Sequence, residues 1–331
     1  MSNLTASISA LSAKQIEDFF SADTGTTQEE CNQMAEQLIG QPVHPTPVQG
    51  STSYTVIADN DTRGFVVQFR NNEGALDLKL LECVEQVYKR FMPHHEQAGT
   101  LGYLQVCTIS TVGGDCVYLS LVQLHRDNGY LLQQSLRDYA RFFALAWHNK
   151  LSPVWCPSRH SLYDDYLSKL KQLSQGLPDR FRKTVDYLIS ELPKLFTSDW
   201  PLVPHHTDLR ENNIHVDPLT GEIKGICDWK DTTIGPFGTS LWSLEAMLAT
   251  RSSKGPFKYH PNHQALRSLF WDSFRVAIGP SFDNIKAVIE VARVVGLFLE
   301  NGFVYTDDLN RVPVQDGTYE LRHLESMITL I

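Results

Sequence analysis

The residues best suited to chemistry are concentrated in one stretch. His205-His206-Thr207-Asp208-Leu209-Arg210-Glu211-Asn212-Asn213-Ile214 contains the spacing His-x-Asp-Leu-x-x-x-Asn. Fifteen residues after Asn213, past the turn Asp217-Pro218-Leu219-Thr220-Gly221, comes Ile226-Cys227-Asp228-Trp229. This set suits transfer of a phosphoryl group to a hydroxyl. One carboxylate, Asp208, would accept or orient the proton of the attacking hydroxyl. The amide oxygen of Asn213 and a second carboxylate, Asp228, would hold Mg²⁺ against the phosphates. A loop bearing the first two groups, followed by a hairpin returning the third, brings them together, and the Pro-Leu-Thr-Gly turn is what such a hairpin needs. The plainer reading makes Asp208 and Asn213 turn formers and Asp228 a strand-end carboxylate. It leaves both the spacing and the hairpin unexplained.

Two other chemistries compete for the same residues. His205, His206, Asp208 and His215 could bind zinc, but no His-x-His cluster or distant His/Asp set completes a tetrahedral site. Ser/His/Asp hydrolysis lacks a Gly-x-Ser-x-Gly elbow.

The elements that must position these groups fall into two halves. The first has helical patterns at 12–20 and 26–39, the second opening at Thr26/Thr27 with Glu29 and Glu30 in its first turn and closing at Gly40. A β-rich run from Val48 to Ala58, a turn at Asp59-Asn60-Asp61 and a returning run from Phe65 to Arg70 follow. A helix over 75–91 carries Leu80, Val84, Val87 and Phe91 on one stripe. Strands are predicted at 103–110 and 116–124, joined by Gly113-Gly114-Asp115. Beyond residue 130 the pattern is helical, at 131–149, 160–175, 180–196, 239–250, 262–278, 283–300 and 318–330, interrupted by one β patch from Asn213 to Trp229. This predicts an α+β chain with a small antiparallel-sheet lobe over 1–124 and a mostly helical lobe over 125–331, the boundary lying near Leu121 to Gly129.

Composition bounds the function. The 331 residues carry 42% hydrophobic and 20% charged residues, enough for a sizeable core. A formal charge of −9 argues against nucleic acid or an anionic membrane as the main partner, since both need a cationic face. Cys31, Cys83, Cys107, Cys116, Cys156 and Cys227 form no Cys-x-x-Cys pair, which fits reduced thiols better than a redox or zinc motif. Met1 to Ala10 lacks a basic stretch followed by an apolar run, and no segment is apolar enough to span a bilayer. The expectation is a cytoplasmic protein with no obligate protein partner.

The catalytic stretch resembles the His-Gly-Asp-Leu-x-x-x-Asn and Ile-Asp-Trp/Phe pair of the aminoglycoside phosphotransferase and choline kinase family. The fuller strings, Glu211 to Asp217 and Pro236-Phe237-Gly238-Thr239-Ser240-Leu241-Trp242, are similar to a fungal branch of that family associated with secondary metabolism. The likeness extends from about residue 26 to about residue 305. It implies a bilobal protein-kinase-like fold, ATP and Mg²⁺ as cofactors, and a small hydroxyl-bearing metabolite as acceptor. It further implies Asp208 as catalytic base, His206 as a brace of the loop, and Asn213 and Asp228 as metal ligands.

Several positions depart from the family pattern. The third strand normally carries a cation for the phosphates, and aligning Val66-Val67-Gln68-Phe69-Arg70 puts Gln68 there, an amide without charge. Arg70 shares Gln68's strand face and either replaces that cation or is a solvated strand-end residue. Glu82, or else Glu85, would be the helix carboxylate orienting it, unless each simply lies on a wet face. The loop Gln49-Gly50-Ser51-Thr52-Ser53-Tyr54 has a single glycine, yet Gly50, Ser51, Thr52 and Ser53 offer donors for a phosphate cover. Ser240-Leu241-Trp242 stands where the family has Asp-Leu-Ala, so the loop needs another brace. Trp229, Phe237, Trp242 and Trp271 either line an acceptor pocket or fill the core. Over 239–275 Arg251, Lys254, Lys258 and Arg267 outnumber Glu245 and Asp272, which favours a neutral or aromatic acceptor over a polycationic sugar. The Gln68 substitution keeps a second reading open, a kinase fold turned to acid/base chemistry without phosphate transfer. A third is a catalytically silent binding module.

Overall fold

The computed structural model describes residues 2–22, 25–58, 64–250, 258–306 and 310–328, with the side chains of 2–7 left aside. The turn expected at Asp59-Asn60-Asp61, the end of the last helix and the basic residues Arg251 and Lys254 therefore lie outside the described residues. The chain forms two compact units, one of Met1–Glu85 with Met92–Val112, the other of Gln86–Phe91 with Gly113–Ile331. No described helix is long and apolar enough to cross a membrane.

The first unit is built on a five-stranded antiparallel sheet. Strands β1 (Val43–Pro45), β2 (Ser53–Ala58), β3 (Phe65–Arg70), β4 (His95–Leu101) and β5 (Leu104–Ser110) run in the order β1-β2-β3-β5-β4. Helices α1 (Ser2–Ser21) and α2 (Gln28–Ile39) precede them, and α3 (Leu78–Tyr88) follows β3. The start of α2 has the expected cap, with Thr27 and Glu30 in a reciprocal capping box, and Gly40 closes it in the left-handed conformation. Alternation then sorts the sheet. Tyr54, Val56, Val67, Phe69, Leu104 and Val106 pack with Cys31, Ala35 and Ile39 of α2 and Phe19 of α1. Ser53, Thr55, Gln68 and Arg70 turn to the opposite face, paired Ser53↔Arg70 and Thr55↔Gln68 across β2 and β3. β4 was not read from the sequence. Gly99 and a bulge between Gln97 and Gly99 interrupt its pattern.

The second unit contains α4 (Val117–Leu124), α5 (Tyr130–His148), α6 (Arg159–Gly176), α7 (Asp179–Glu191), α8 (Leu244–Leu248), α9 (His263–Ile278), α10 (Phe282–Asn301) and α11 (Tyr319–Ile328). The strand predicted over 116–124 is instead α4. Its buried residues Val117, Ser120 and Leu124 recur at helical, not alternating, spacing. Only β6 (Asp115–Cys116) is extended, and it pairs with 215–216. Along the sequence the chain passes between the two units at Glu85/Gln86, Phe91/Met92 and Val112/Gly113. Gly114 is required there, because its φ is +77° and a Cβ would meet the Val216 carbonyl oxygen at 2.2 Å. The helix predicted over 239–250 is a 3₁₀ turn over Thr239–Ser243 followed by α8.

Four short strands build the frame of the candidate site: β7 (Leu202–His205), β8 (Ile214–Val216), β9 (Ile223–Ile226) and β10 (Thr233–Pro236). β8 pairs with β9 and β7 with β10, both antiparallel. The hairpin turn between β8 and β9 is held by Asp217, whose carboxylate accepts from the Leu219 and Thr220 amides at 2.8 and 3.2 Å. Its close is fixed onto α5 by Ser135, whose hydroxyl donates to the Gly221 carbonyl at 2.6 Å, and by buried Asp138, which accepts from the Ile223 amide at 3.2 Å.

Candidate active site

The strand pairing dictates where the chemistry-bearing residues go. Loop 206–213 joins β7 to β8, and loop 227–232 joins β9 to β10. Since β7 pairs with β10 and β8 with β9, the two loops leave the frame side by side. Backbone and imidazole then tie them. The Cys227 amide donates to the Asn213 carbonyl at 2.8 Å, and His206 Nε2 donates to the Cys227 carbonyl at 2.6 Å.

His206 is a brace with both ring nitrogens engaged. Its Nδ1 accepts the Asp208 amide at 3.1 Å, so the proton resides on Nε2 and the ring is neutral. Burial pulls its pKa below the usual imidazole range, against the opposing charges of Asp228 and Asp208. Its ring meets Trp229 edge-on at 4.9 Å. His205 is similarly occupied, with Nδ1 and the Ser240 hydroxyl at 2.6 Å and Nε2 and the Thr239 hydroxyl at 3.2 Å. Ser240 thus braces the loop through His205, in place of the carboxylate the family pattern has there. Neither histidine has a nitrogen left for zinc, and among the described residues no group of three or more His, Cys, Asp or Glu could hold a metal.

Asp208 is half exposed and Asn213 buried. Asn213 Nδ2 donates to the Asp208 carbonyl at 2.8 Å and to its Oδ2 at 3.0 Å. This fixes the amide so that its oxygen turns away from the Asp208 carboxylate. Asp228 is exposed and sits at φ +64°, a conformation non-glycine residues adopt at a cost and retain where the surroundings impose it. The amide oxygen of Asn213 and the carboxylate of Asp228 are hard oxygen donors. They fit a Mg²⁺ held by few protein ligands and completed by phosphate oxygens.

Sequence reasoning missed one partner. Arg210 Nε contacts Asp208 Oδ1 at 3.0 Å, and its Nη2 reaches Glu300 Oε1 on α10 at 3.1 Å. The guanidinium lies over Trp242 at 5.3 Å from the ring centroid. Burial raises the Glu300 pKa while Arg210 opposes that rise. Arg210 was legible as part of the motif, but nothing local pointed to Glu300.

The aromatic candidates divide. Trp229 and Phe237 are core residues, Trp229 donating its indole N–H to the Ile226 carbonyl at 2.7 Å. Trp242 is buried beneath Arg210, and Trp271 is partly buried. Of the basic residues in the 239–275 segment, Arg267 forms a two-pronged pair with buried Glu245 and is committed to the fold.

Within the first unit, Arg70 is buried, not a solvated strand end. Its Nε donates to Gln68 Oε1 at 2.6 Å and its Nη1 to the Gly74 carbonyl at 2.9 Å. Gln68 in turn donates to Thr55 Oγ1 at 2.9 Å and Ser53 Oγ at 3.4 Å. Gly50 and Ser53 bridge across a tight turn whose tip is Ser51 and Thr52, and buried Gln49 pins it by exchanging bonds with the Thr55 backbone. Glu82 is exposed and without an ion pair among the described residues, whereas Glu85 pairs with His94 at 2.9 Å.

Residues 93–258, half of the chain, match the profile of the phosphotransferase enzyme family. No curated protein matches the sequence. Among solved structures, the chain is similar to a Ralstonia eutropha protein described as a candidate aminoglycoside phosphotransferase, with 13% identity and a TM-score of 0.54, covering 83% of this chain and 88% of that one. It is also similar to the ethanolamine kinase of Plasmodium vivax, with 10% identity and a TM-score of 0.52, covering 96% and 94%. At these identities the likeness is one of fold, the protein-kinase-like fold of an antiparallel-sheet unit followed by a largely helical one.

Proposed function

The chain belongs to the phosphotransferase enzyme family, and from that premise we propose that it is a small-molecule kinase moving the γ-phosphate of ATP to a hydroxyl of a metabolite. The observation that carries this reading is the coupling of Asp208 and Asn213, amide to carboxylate at 3.0 Å, on a loop tied to Cys227, the residue before Asp228.

Each residue then has a task. Asp208 orients the acceptor hydroxyl and takes its proton as the oxygen attacks phosphorus. Asn213 holds the Asp208 carboxylate through its N–H and offers its oxygen to Mg²⁺, with Asp228 as the second ligand. When bound, Mg-ATP supplies the phosphoryl group and the cation that offsets the charge developing on its oxygens. His206, neutral and doubly bonded, keeps the two loops in register. In the sheet unit, Arg70 is the cation that takes the role of the missing strand-three charge, positioned by Gln68, while Gly50 to Ser53 form the phosphate cover. The acceptor is a small hydroxylated compound without a polycationic requirement, and neither nucleic acid nor membrane is a partner. The site of action is the cytoplasm.

The test is a screen for acceptor-dependent ADP release from MgATP over hydroxylated metabolites, with Asp208→Ala and Asp228→Asn beside the native chain. Phosphorylated product from the native chain, and a loss of at least about 10³-fold in both variants, is the expected outcome. Absence of MgATP binding at millimolar concentration would instead favour acid/base chemistry without phosphate, the reading that Gln68 motivates.

A further inference from the structure

Arg210 follows Asp208 by two residues and engages the carboxylate that would accept the substrate proton. It bridges Asp208 Oδ1 at 3.0 Å and Glu300 Oε1 at 3.1 Å while lying over the Trp242 ring. Its own backbone is held as well, its amide donating to the Asp208 carbonyl at 2.9 Å and its carbonyl accepting from the Asn213 amide at 3.0 Å. The second oxygen of Asp208 accepts from Asn213. One carboxylate oxygen thus accepts a hydrogen bond from Asn213, and the other is in ion-pair contact with the Arg210 guanidinium. A half-exposed aspartate with a single donor could rotate about its Cβ–Cγ bond; one also paired with a guanidinium gives up that ion pair if it does so.

We infer that Arg210 is a positioning residue for the transfer reaction, a guanidinium clamp anchored on Glu300 and Trp242 that fixes the rotamer of Asp208. This inference rests on the kinase reading above and adds to it a residue set ninety positions apart in sequence. The arrangement needs a planar fork. Nε and Nη2 of one guanidinium address two carboxylates while its flat face covers the indole, which the single ammonium of a lysine cannot reproduce. Glu300 is on α10, and Trp242 is in the 3₁₀ turn 239–243 beside Ser240, the brace of His205. The clamp thus couples the loop of the base to the two elements behind it.

The test uses the full chain with MgATP, water as acceptor, and ADP release as the signal, together with hydrogen exchange of the amides of 206–213. Arg210→Gln is expected to lower kcat about 10²-fold while the KM for MgATP moves less than about twofold, because the loss lies in the geometry of the base and not in nucleotide binding. Arg210→Lys recovers only a part of it. Millimolar ethylguanidine restores turnover to Arg210→Ala and leaves the native chain unchanged. Glu300→Gln, which keeps Arg210 but weakens its anchor, loses about tenfold, and exchange of 206–213 accelerates in both the Arg210 and the Glu300 variants. Native kcat in Arg210→Gln, or a loss that guanidine does not reverse and that falls equally on kcat and KM, overturns the inference. Failure of the kinase reading looks different: the native chain and Asp208→Ala then release ADP at the same background rate. In that event the exchange data decide, faster exchange supporting the clamp and unchanged exchange removing it.

Discussion

Arg70 Nε donates to Gln68 Oε1 at 2.6 Å, from a buried position on the same face of β3. The residue that lacks a charge is therefore the residue that holds the charge. If Arg70 grips the phosphates, Arg70→Met weakens MgATP binding by between about 10- and 100-fold, the worth of one charge-assisted hydrogen bond of roughly 1.5–3 kcal/mol. Gln68→Met removes the support and costs less. Calorimetric titration with MgATP measures both, and an unchanged Kd in Arg70→Met would leave that residue with a purely structural place in the sheet.

His206 predicts a different kind of loss. His206→Ala leaves the Cys227 carbonyl and the Asp208 amide without their partner, each a penalty on the order of 1–3 kcal/mol for a buried polar group. Urea unfolding is expected to show a destabilisation of about 2–4 kcal/mol, accompanied by loss of turnover. His206→Gln, which can still donate from one end and accept at the other, retains part of both. Stability equal to that of the native chain in His206→Ala would mean that the loops are held together without the imidazole.

How much of this was legible in the sequence depends on distance along the chain. Asp208, Asn213 and Asp228 stood out because their spacing is fixed by one loop and one hairpin. Thr27, Glu30 and Gly40 marked the ends of α2 because caps are local. The strands β7 and β10 were invisible, being four residues each and, for β7, buried throughout so that no alternation arises. α4 was mistaken for a strand because Val117, Tyr118, Leu119, Leu121, Val122 and Leu124 are all apolar, and the helical spacing appears only once burial selects Val117, Ser120 and Leu124. Arg70 could not be told from a solvated residue, since Gln68 and Gly74 become its partners only after the strand and the turn have formed. Glu300 was beyond reach for the same reason, at a far larger separation.

Acid should weaken the fold through its buried histidines. Burial pushes the His205 pKa down from 6.5 to about 4. The unfolded chain then binds the proton first as pH falls, so the contribution of a neutral His205 is complete above about pH 6.5 and is lost as pH falls towards 4. One group with this shift is worth about 3 kcal/mol across that window. Urea midpoints measured from pH 7.5 to 4.5 are expected to fall more steeply in the native chain than in His205→Gln, which has no proton to gain. Parallel slopes for the two would show that His205 carries no such linkage.

Gly296 connects the core of the helical unit to the site. It lies within α10, and a Cβ there would meet the Thr239 carbonyl oxygen at 1.8 Å and its carbonyl carbon at 2.6 Å. Both neighbours are backbone, so neither can swing aside, and Gly296→Ala must push α10 away from the turn 239–243. That turn carries Ser240, which braces His205, and Trp242, which underlies Arg210, while Glu300 is four residues further along α10 on the same face. A displacement of even about 1 Å at this contact therefore reaches Asp208 by two routes, and misplacement on that scale can cost on the order of 10²-fold in rate. Gly296→Ala is expected to lose about 1–3 kcal/mol of stability from overpacking and to lower kcat by at least tenfold under conditions where it remains folded, with the KM for MgATP little changed. Unfolding curves and steady-state ADP release on the same preparation separate the two effects. A variant that is destabilised but turns over at the native rate would show that α10 and the catalytic loop move independently.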